Sequence, residues 1–274
     1  MRLRLRIFGR KRRPSMALLG TEGGTAAPWR AGFGWLRDVS PAAWIGPRLH
    51  PFAQDVGSII PEGFHAYARL FHPVPVDPDR RERWSNVAQR NRRIVHPEMQ
   101  FHQISIPRGQ VPIELYGKHE PRHGTLVLDQ RRALVEHLTK ATATPDQCWF
   151  AIWEGFGGLD EGVIRERLRL PKRNYLLYTG GLARALESPL PFDQSPNLWW
   201  PEDRAWFVAS EIDFAWTYVG GAQSLIAALL SDSRLEVLPA ALTEKVQASG
   251  DRINAALNAQ QEDGPAVDPT TEPE

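Results

Sequence analysis

The chain has 274 residues, of which 42% are hydrophobic and 24% charged, and its formal net charge is +1. These values are typical of a globular protein with a substantial core, and a nearly neutral chain has little electrostatic reason to bind nucleic acid. No apolar run approaches the about 20 residues of a membrane-spanning helix, so we expect no membrane partner. The single cysteine, Cys148, excludes an internal disulfide and a cysteine-only zinc site.

Basic residues are concentrated at the start of the chain, where residues 1–15 contain no acid. They are Arg2, Arg4, Arg6, Arg10, Lys11, Arg12 and Arg13. A secretory signal needs an apolar segment of about 7–15 residues after such charges, and only Met16-Ala-Leu-Leu-Gly follows. We therefore expect a cytoplasmic protein with a disordered basic arm over residues 1–16, or a true start at Met16 instead of Met1. Nucleic acid is expected as a partner only through these basic residues.

The other end is acidic and contains several prolines. Residues 251–274 hold six acids against Arg252, which predicts a disordered acidic tail over residues 259–274. Between the two ends we expect one domain, residues 17–258.

The first half of this domain shows few regular patterns. Residues 21–46 are rich in Gly, Ala, Pro and Trp, which predicts irregular structure whose tryptophans dock on the domain. Apolar residues alternate with others over 64–71, which predicts a strand. We also expect a short helix over 84–93 and a short strand over 125–128. Asp129 is a suitable N-cap for a helix that ends near residue 141.

The second half contains clearer strands and helices. Residues 148–153 are apolar on both faces and predict a central strand, residues 174–178 predict another, and residues 205–214 a third. Gly220-Gly221 is expected to be a turn before a helix, and a last helix is expected from residue 240, with Leu242, Val246, Ile253 and Leu257 facing inward. Together these elements predict the α+β class: a single domain with a mainly antiparallel sheet flanked by helices, and disordered termini.

Carboxylates around the predicted strand 205–214 are the candidates for catalysis. These are Glu211, Asp213, Asp203 and Glu154. Glu211 and Asp213 would project from one strand face about 7 Å apart. Carboxylates at such spacing perform glycoside hydrolysis, and a pair of them can hold a divalent metal. The alternative is that Glu211 and Asp213 lie on a solvated sheet face or pair with arginines such as Arg204.

Aromatic residues near these acids are candidates for ligand binding. The candidate set is Trp199, Trp200, Glu202 and Trp153. Trp149 and Trp153 share one face of their strand, and with Trp199 and Trp200 they could form a stacking platform for sugars or bases. The alternative is that these tryptophans fill the core around the sheet.

Histidines suggest a metal at two places. The first group is His96, Glu98 and His102, and the second is His119 and His123. Pro97 interrupts the first group, and Pro121 prevents the helix that the second would need. We therefore predict no metal site. No cofactor is predicted, since the chain has neither a Walker-type lysine nor a G-x-G-x-x-G motif.

Three segments carry a resemblance. They are R-L-H-P-F-A-Q-D-V-G-S-I-I-P-E-G-F-H-A-Y-A-R-L-F-H-P at 48–73, C-W-F-A-I-W-E-G-F-G at 148–157, and S-P-N-L-W-W-P-E-D-R-A-W-F-V-A-S-E-I-D-F-A-W-T-Y-V-G-G at 195–221. They resemble a family of uncharacterised actinobacterial proteins, which implies no activity, cofactor or catalytic residue. The strand–loop–helix layout is loosely similar to SUKH-type immunity proteins, by analogy of layout alone.

No complete catalytic constellation is visible in the sequence. We therefore expect a non-enzymatic cytoplasmic domain that binds another protein or a small ligand through a Trp- and acid-lined surface. The alternative is a hydrolase acting on a glycan or ester-like substrate, with Glu211 and Asp213 as acid and base or as metal ligands. Such an enzyme should bring these acids and at least one of Glu154, Glu202 or Asp203 together in a concave pocket.

Overall fold

An antiparallel β-sheet runs through the whole described part of the protein. The computed structural model describes residues 33–52, 54–105, 120–157 and 166–262. The strands are β1 Gly34–Trp35, β2 Ala66–Phe71, β3 Val74–Pro75, β4 Arg81–Glu82, β5 Cys148–Trp153, β6 Leu168–Leu170, β7 Arg173–Gly180, β8 Leu198–Pro201, β9 Phe207–Ala209, β10 Trp216–Gly221 and β11 Val237–Ala240. The helices are α1 Trp84–Arg90, α2 Phe101–Ile104, α3 Leu128–Lys140, α4 Gln223–Ser231 and α5 Arg252–Glu262.

Within these described ranges the main sheet has nine strands, in the order β1-β7-β5-β8-β9-β10-β2-β11, with β6 paired to β7. Each pairing is antiparallel. Strands β3 and β4 form a separate hairpin. The predicted α+β class, with one domain built on a mainly antiparallel sheet flanked by helices, is confirmed. Strand β5 has neighbours on both sides, as its apolar faces predicted.

The sheet buries both of its faces, and each face has its own core. Helices α3 and α4 cover one face, which we call the α3 face. Helices α1 and α2 and residues 42–52 and 54–60 cover the other, which we call the α1 face. Because strand side chains alternate, Trp199 enters the core of the α3 face and Trp200 that of the α1 face.

Several predicted elements are confirmed, with small shifts in their ends. The strand expected over 64–71 is β2, those over 148–153 and 174–178 are β5 and β7, and the helix expected over 84–93 is α1. Helix α3 begins at Leu128 and has Val127 as its N-cap, so Asp129 lies in the first turn instead of at the cap. A carboxylate there still complements the helix dipole.

The strand predicted over 205–214 is wrong. Only Phe207–Ala209 is a strand, and Leu198–Pro201 before it is another. The polar residues Glu211 and Asp213, taken as alternate positions of a strand, belong to the turn from β9 into β10. Phe214 N–H donates to the carbonyl of Glu211 across this turn at 3.1 Å.

Gly220-Gly221 is also not the predicted turn, because both residues belong to β10. Gly220 pairs with Tyr67 in β2, and an added Cβ there would lie 2.8 Å from the Phe64 ring. The glycines are therefore needed for close packing inside the sheet. The helix expected after them is confirmed as α4.

Two further predictions are wrong. Residues 125–127 are not in a strand, since the backbone N–H of Leu126 donates to the Ser195 hydroxyl and not to a neighbouring strand. Residues 237–240 form strand β11, and the last helix begins only at Arg252. Of the residues expected inside that helix, Val246 is buried in the loop before it, whereas Ile253 is 45% exposed.

The expectations for the chain ends fall mostly outside the described residues. Residues 1–32 and 263–274 are not described, so the basic arm, the start at Met16 and most of the acidic tail stay predictions. Helix α5 runs to Glu262, past the expected boundary at residue 258. No described helix combines the length and the apolar composition needed to cross a membrane.

Candidate functional site

A groove of about 1100 Å³ opens beside the β3–β4 hairpin on the α1 face of the sheet. Its lining residues come from the hairpin, from α1 and α2, from the turn before β10 and from the loop before α5: Val74, Val76, Arg80, Arg81, Glu82, Trp84, Asn86, Val87, Arg90, Asn91, Gln100, Phe101, His102, Ser105, Glu120, His123, Asp213, Phe214, Ala215, Trp216, Val246 and Ala248. Ser105 and Glu120 border residues 106–119, which lie outside the described chain. The volume slightly exceeds the usual range of about 300–1,000 Å³ for small-molecule sites.

The floor of the groove is aromatic. Trp84 and Trp216 are almost completely buried, and their ring centroids lie 6.3 Å apart. Phe101 packs 5.2 Å from Trp84, and Phe214 stacks on Trp216 at 4.5 Å. Phe101 and Phe214 are only half-buried, so they present ring surface to the groove. Such a floor favours a ligand with an apolar body.

Glu236, which precedes β11, holds the start of α1 against this floor. Its carboxylate accepts hydrogen bonds from the backbone N–H of Trp84 and of Ser85, both at 2.7 Å. The Trp84 indole N–H donates to the carbonyl of His72 at 2.8 Å. A distant residue thus provides the N-terminal cap, because Arg83 at the cap position makes no side-chain cap bond.

The rim of the groove is charged, and most of its charges are already paired. Arg90 contacts Glu82 at 2.6 Å, and Arg80 contacts Asp77 at 3.1 Å. Arg81 is exposed and forms no ion pair with any described residue. The rim therefore offers one unpaired guanidinium to a ligand.

Arg69 lies behind the aromatic floor, where it is 1% exposed. Its guanidinium carbon is 3.8 Å from the Trp216 ring centroid, and it also contacts the rings of Phe71 and Trp84. Nη1 donates to the carbonyl of Pro97, but Nε and Nη2 have no hydrogen-bond partner in the described structure. Burial lowers the pKa of Arg69 to about 10, so the group stays charged at neutral pH.

Gln100 is the polar residue most deeply placed in the groove wall, with 4% of its surface exposed. Its backbone N–H donates to the buried carboxylate of Asp251 at 2.9 Å, which fixes the residue in place. The side-chain Nε2 has no partner among the described residues. The same atom has almost no accessible surface, so it is closed off from the groove in this structure.

Glu211 and Asp213 share one arginine. Nη2 of Arg173 lies 2.6 Å from Glu211 Oε1 and 2.7 Å from Asp213 Oδ2. The second oxygen of Glu211 accepts the backbone N–H of Asp213 at 2.6 Å. The pair therefore helps to close the β9–β10 turn. Its ion-pair partner is Arg173, and not Arg204 as expected from the sequence. Among the candidate acids and tryptophans, only Asp213 also lines the groove.

Glu202 and Asp203 lie in the turn before β9, at the opposite end of that strand from Glu211. The carboxylate of Glu202 accepts from the Trp149 indole at 2.6 Å. Asp203 accepts from the Thr142 hydroxyl and the Ala143 backbone N–H at 2.8 and 2.7 Å. The Asp203 bonds tie the turn to the residues just after α3, and the Glu202 bond ties it to β5.

Glu154 has partners of its own. It accepts from Arg167 at 2.8 Å and from the Asn174 amide at 2.7 Å, and the Asn174 bond is the main reason why its pKa is lowered. The candidate acids are thus occupied by structural bonds at separate places. The structure does not bring them together as a hydrolase would require.

The candidate tryptophans are not joined into a platform. Trp199 and Trp200 are fully buried and point to opposite faces of the sheet. Trp153 is half-buried and packs on Phe156, with ring centroids 5.2 Å apart. The rings of Trp199 and Trp200 are therefore not accessible to a ligand in this structure.

The histidines of the first proposed metal group have separate partners. His96 contacts Asp251 at 2.8 Å, Glu98 accepts from the backbone N–H of Lys245, and His102 lines the groove. No described group of three or more His, Cys, Asp or Glu residues is arranged to hold a metal ion. His119 of the second group is not described.

Burial raises the pKa of the Cys148 thiol to about 12, which makes it a poor nucleophile.

Sequence reasoning missed most of the groove. Gln100 and Phe101 lie in a stretch without helix or strand periodicity. Trp84 belongs to a predicted helix, but nothing in the sequence indicates that its ring contacts Trp216. Arg69 carried one signal, a charged residue in an otherwise apolar strand.

Comparison with protein-family models, curated proteins and solved structures gives no match for this chain. The resemblance drawn from the three segments stays a prediction.

Proposed function

We propose that the protein is a non-enzymatic binding domain that holds a small ligand with an apolar body in the groove. The observation that supports this proposal is a large concavity whose floor is aromatic, with Phe101 and Phe214 packed on Trp84 and Trp216. Concave sites with an apolar lining and few polar groups are typical of ligand pockets. We therefore assign ligand binding to the groove and not to the Trp- and acid-lined surface expected from the sequence.

Binding is favoured over hydrolysis because the candidate acids are separately occupied. Glu211 and Asp213 are held by Arg173, while Glu202 and Asp203 lie at the other end of β9.

We further propose that binding takes place in the cytoplasm. The free thiol of Cys148 is compatible with a reducing compartment. Cell fractionation would test this location.

The groove is tested with a matched pair of variants on one helix. Asn86 and Gln89 are both exposed on α1, but only Asn86 lines the groove. Asn86→Trp should fill part of the groove, whereas Gln89→Trp adds the same ring outside it. The probe is N-phenyl-1-naphthylamine, a neutral dye that fluoresces in apolar sites.

We expect saturable dye binding by the natural protein and by Gln89→Trp, and binding weakened by at least about tenfold in Asn86→Trp. Equal binding by the two variants, or no binding by the natural protein, would refute the groove as the site. Native mass spectrometry of protein purified from its host gives a second test. A retained small molecule should be present with Gln89→Trp and absent with Asn86→Trp.

A further inference from the structure

We propose that the groove selects ligands whose apolar body is a planar aromatic ring, and that Phe214 is the residue that recognises this ring. The inference rests on the proposed function, since it names the chemical class of the ligand in the same groove. It depends on the order in which side chains are layered along β10, and on the ring surface that this order leaves toward the groove.

Phe214 and Trp216 are two layers of one stack. Their ring centroids lie 4.5 Å apart, and their planes differ by only 14°. The two residues are separated by one position where the chain enters β10, so their side chains lie on the same face of the sheet. Both pack in the core of the α1 face. The stack therefore follows from the periodicity of the strand.

Arg69 is the next layer, on the far side of Trp216. Its guanidinium carbon lies 3.8 Å from the Trp216 ring centroid. Arg69 pairs with Tyr218, which follows Trp216 along β10, whereas Phe214 precedes it. A guanidinium and a phenyl ring at such distances would overlap on one ring face, since non-bonded atoms stay about 3.5 Å or more apart. Arg69 and Phe214 therefore cover opposite faces of Trp216.

This order leaves Phe214 as the last ring before the groove. One of its faces is covered by Trp216, but the residue is only half-buried and lines the groove. Its open surface is therefore the opposite face and the outer edge. An aromatic ring of the ligand can pack on either, because offset-stacked and edge-to-face pairs are both favourable. Phe101, the other half-buried ring, is tilted by 54° against Trp84 and does not continue a stack.

The stack is held in place by contacts within the protein. Trp216 is 5% exposed, and its ring also lies edge-on to Trp84 with centroids 6.3 Å apart. The carbonyl of Phe214 accepts the backbone N–H of Gly124 at 2.9 Å. A ring that is already ordered costs little entropy when a ligand binds to it, which favours affinity.

An aromatic ligand should gain more from this surface than an aliphatic ligand with the same skeleton. Burial of apolar area by itself does not favour the aromatic ligand, because the saturated ligand has at least as much apolar surface. A pair of aromatic rings adds a contribution beyond the buried area, and this contribution corresponds to about two- to tenfold in affinity.

The test compares naphthylmethanol with its fully saturated counterpart, decahydronaphthylmethanol, both neutral and of the same positional isomer. Each displaces N-phenyl-1-naphthylamine at pH 7.5, and the measure is the ratio of the two half-displacement concentrations. The affinity of each variant for the dye cancels in this ratio. Phe214→Leu removes the ring and keeps an apolar side chain, and Phe214→Tyr keeps the ring. Phe192→Leu removes a ring that is 45% exposed outside the groove and is the control.

We expect naphthylmethanol to displace the dye from the natural protein at a concentration about three- to tenfold lower than its saturated counterpart. Phe214→Leu should bring the ratio close to one, whereas Phe214→Tyr and Phe192→Leu should keep it.

A natural protein that binds the saturated ligand equally well or better would overturn the aromatic inference, and this result needs no variant to fold. An unchanged ratio in Phe214→Leu, or a ratio near one in Phe214→Tyr, would overturn the role of the Phe214 ring. Dye binding that is sensitive to Asn86→Trp would in these cases still support the groove as a site. No dye binding by the natural protein would instead overturn the proposed function.

Discussion

His72 should make the stability of this protein depend on pH between about 4 and 6.5. The side chain is fully buried after β2, where Nδ1 lies 2.6 Å from the carbonyl of Arg122 and Nε2 lies 2.8 Å from the Thr217 hydroxyl. A carbonyl only accepts, so Nδ1 carries the hydrogen and Nε2 accepts from Thr217. The Ser210 hydroxyl continues the chain, 2.6 Å from that of Thr217. The network thus joins β2, β10 and the end of β9 around a neutral imidazole.

Protonation of His72 disrupts this network, and burial lowers its pKa from 6.5 to about 4. Between these values the unfolded chain binds a proton that the folded chain does not bind. Stability from the neutral ring is therefore complete above pH 6.5 and is lost as the pH falls toward 4. The difference corresponds to about 3 kcal/mol of unfolding free energy, a large part of the usual stability of a domain.

The assay is urea unfolding at several pH values from 7.5 to 4.5. The natural protein should lose stability below pH 6.5, and His72→Gln should lose clearly less over the same interval, whatever its stability at pH 7.5. His65→Gln, at an exposed histidine before β2, is the control and should behave like the natural protein. The reasoning fails if His72→Gln and the natural protein show the same slope with pH, since another group would then be responsible.

Three further predictions concern structural contacts. Glu236→Gln should lower the unfolding free energy by about 1–2 kcal/mol in urea, because a charged cap of two N–H groups is lost; exposed Glu136→Gln is the control, and equal effects would contradict this role. Cys148 should react with a thiol reagent at pH 8 only after unfolding, and fast reaction of the folded protein would refute its burial. The double variant Glu211→Gln and Asp213→Asn should lower the unfolding free energy by about 1–3 kcal/mol in the same assay, because the mostly buried Arg173 loses both carboxylate partners; no loss would contradict their role in closing the β9–β10 turn.

The elements that the sequence predicted correctly are those with a strong local pattern. Residues 148–153 are apolar on both faces and form β5 between two other strands. The apolar spacing of Leu225, Ile226, Leu229 and Leu230 predicts one face of a helix; the first three are buried in α4, whereas Leu230 is 40% exposed. Such periodicity depends only on the geometry of a strand or helix, so it can be read without knowledge of the neighbours.

The wrong predictions of secondary structure came where a local sequence pattern continues past the end of the real strand or turn. Residues 205–214 alternate as a strand does, yet Arg173 from β7 binds Glu211 and Asp213 together and stabilises a turn there. Gly220 looked like a turn residue, but the approach of the Phe64 and Tyr67 rings requires it within β10. In both cases the deciding partner is distant in sequence, which local reasoning does not detect.

The sequence by itself determined the α+β class, the strands β2, β5 and β7, the helices α1, α3 and α4, and the kinds of residue from which a site could be built. Only the tertiary structure decided which of them meet. It buries Trp199 and Trp200 on opposite faces, assigns the candidate acids to structural bonds, and forms a groove from Trp84, Gln100 and Trp216. The physical reason is that burial and hydrogen-bond satisfaction depend on contacts between distant residues, whereas periodicity depends on the local backbone.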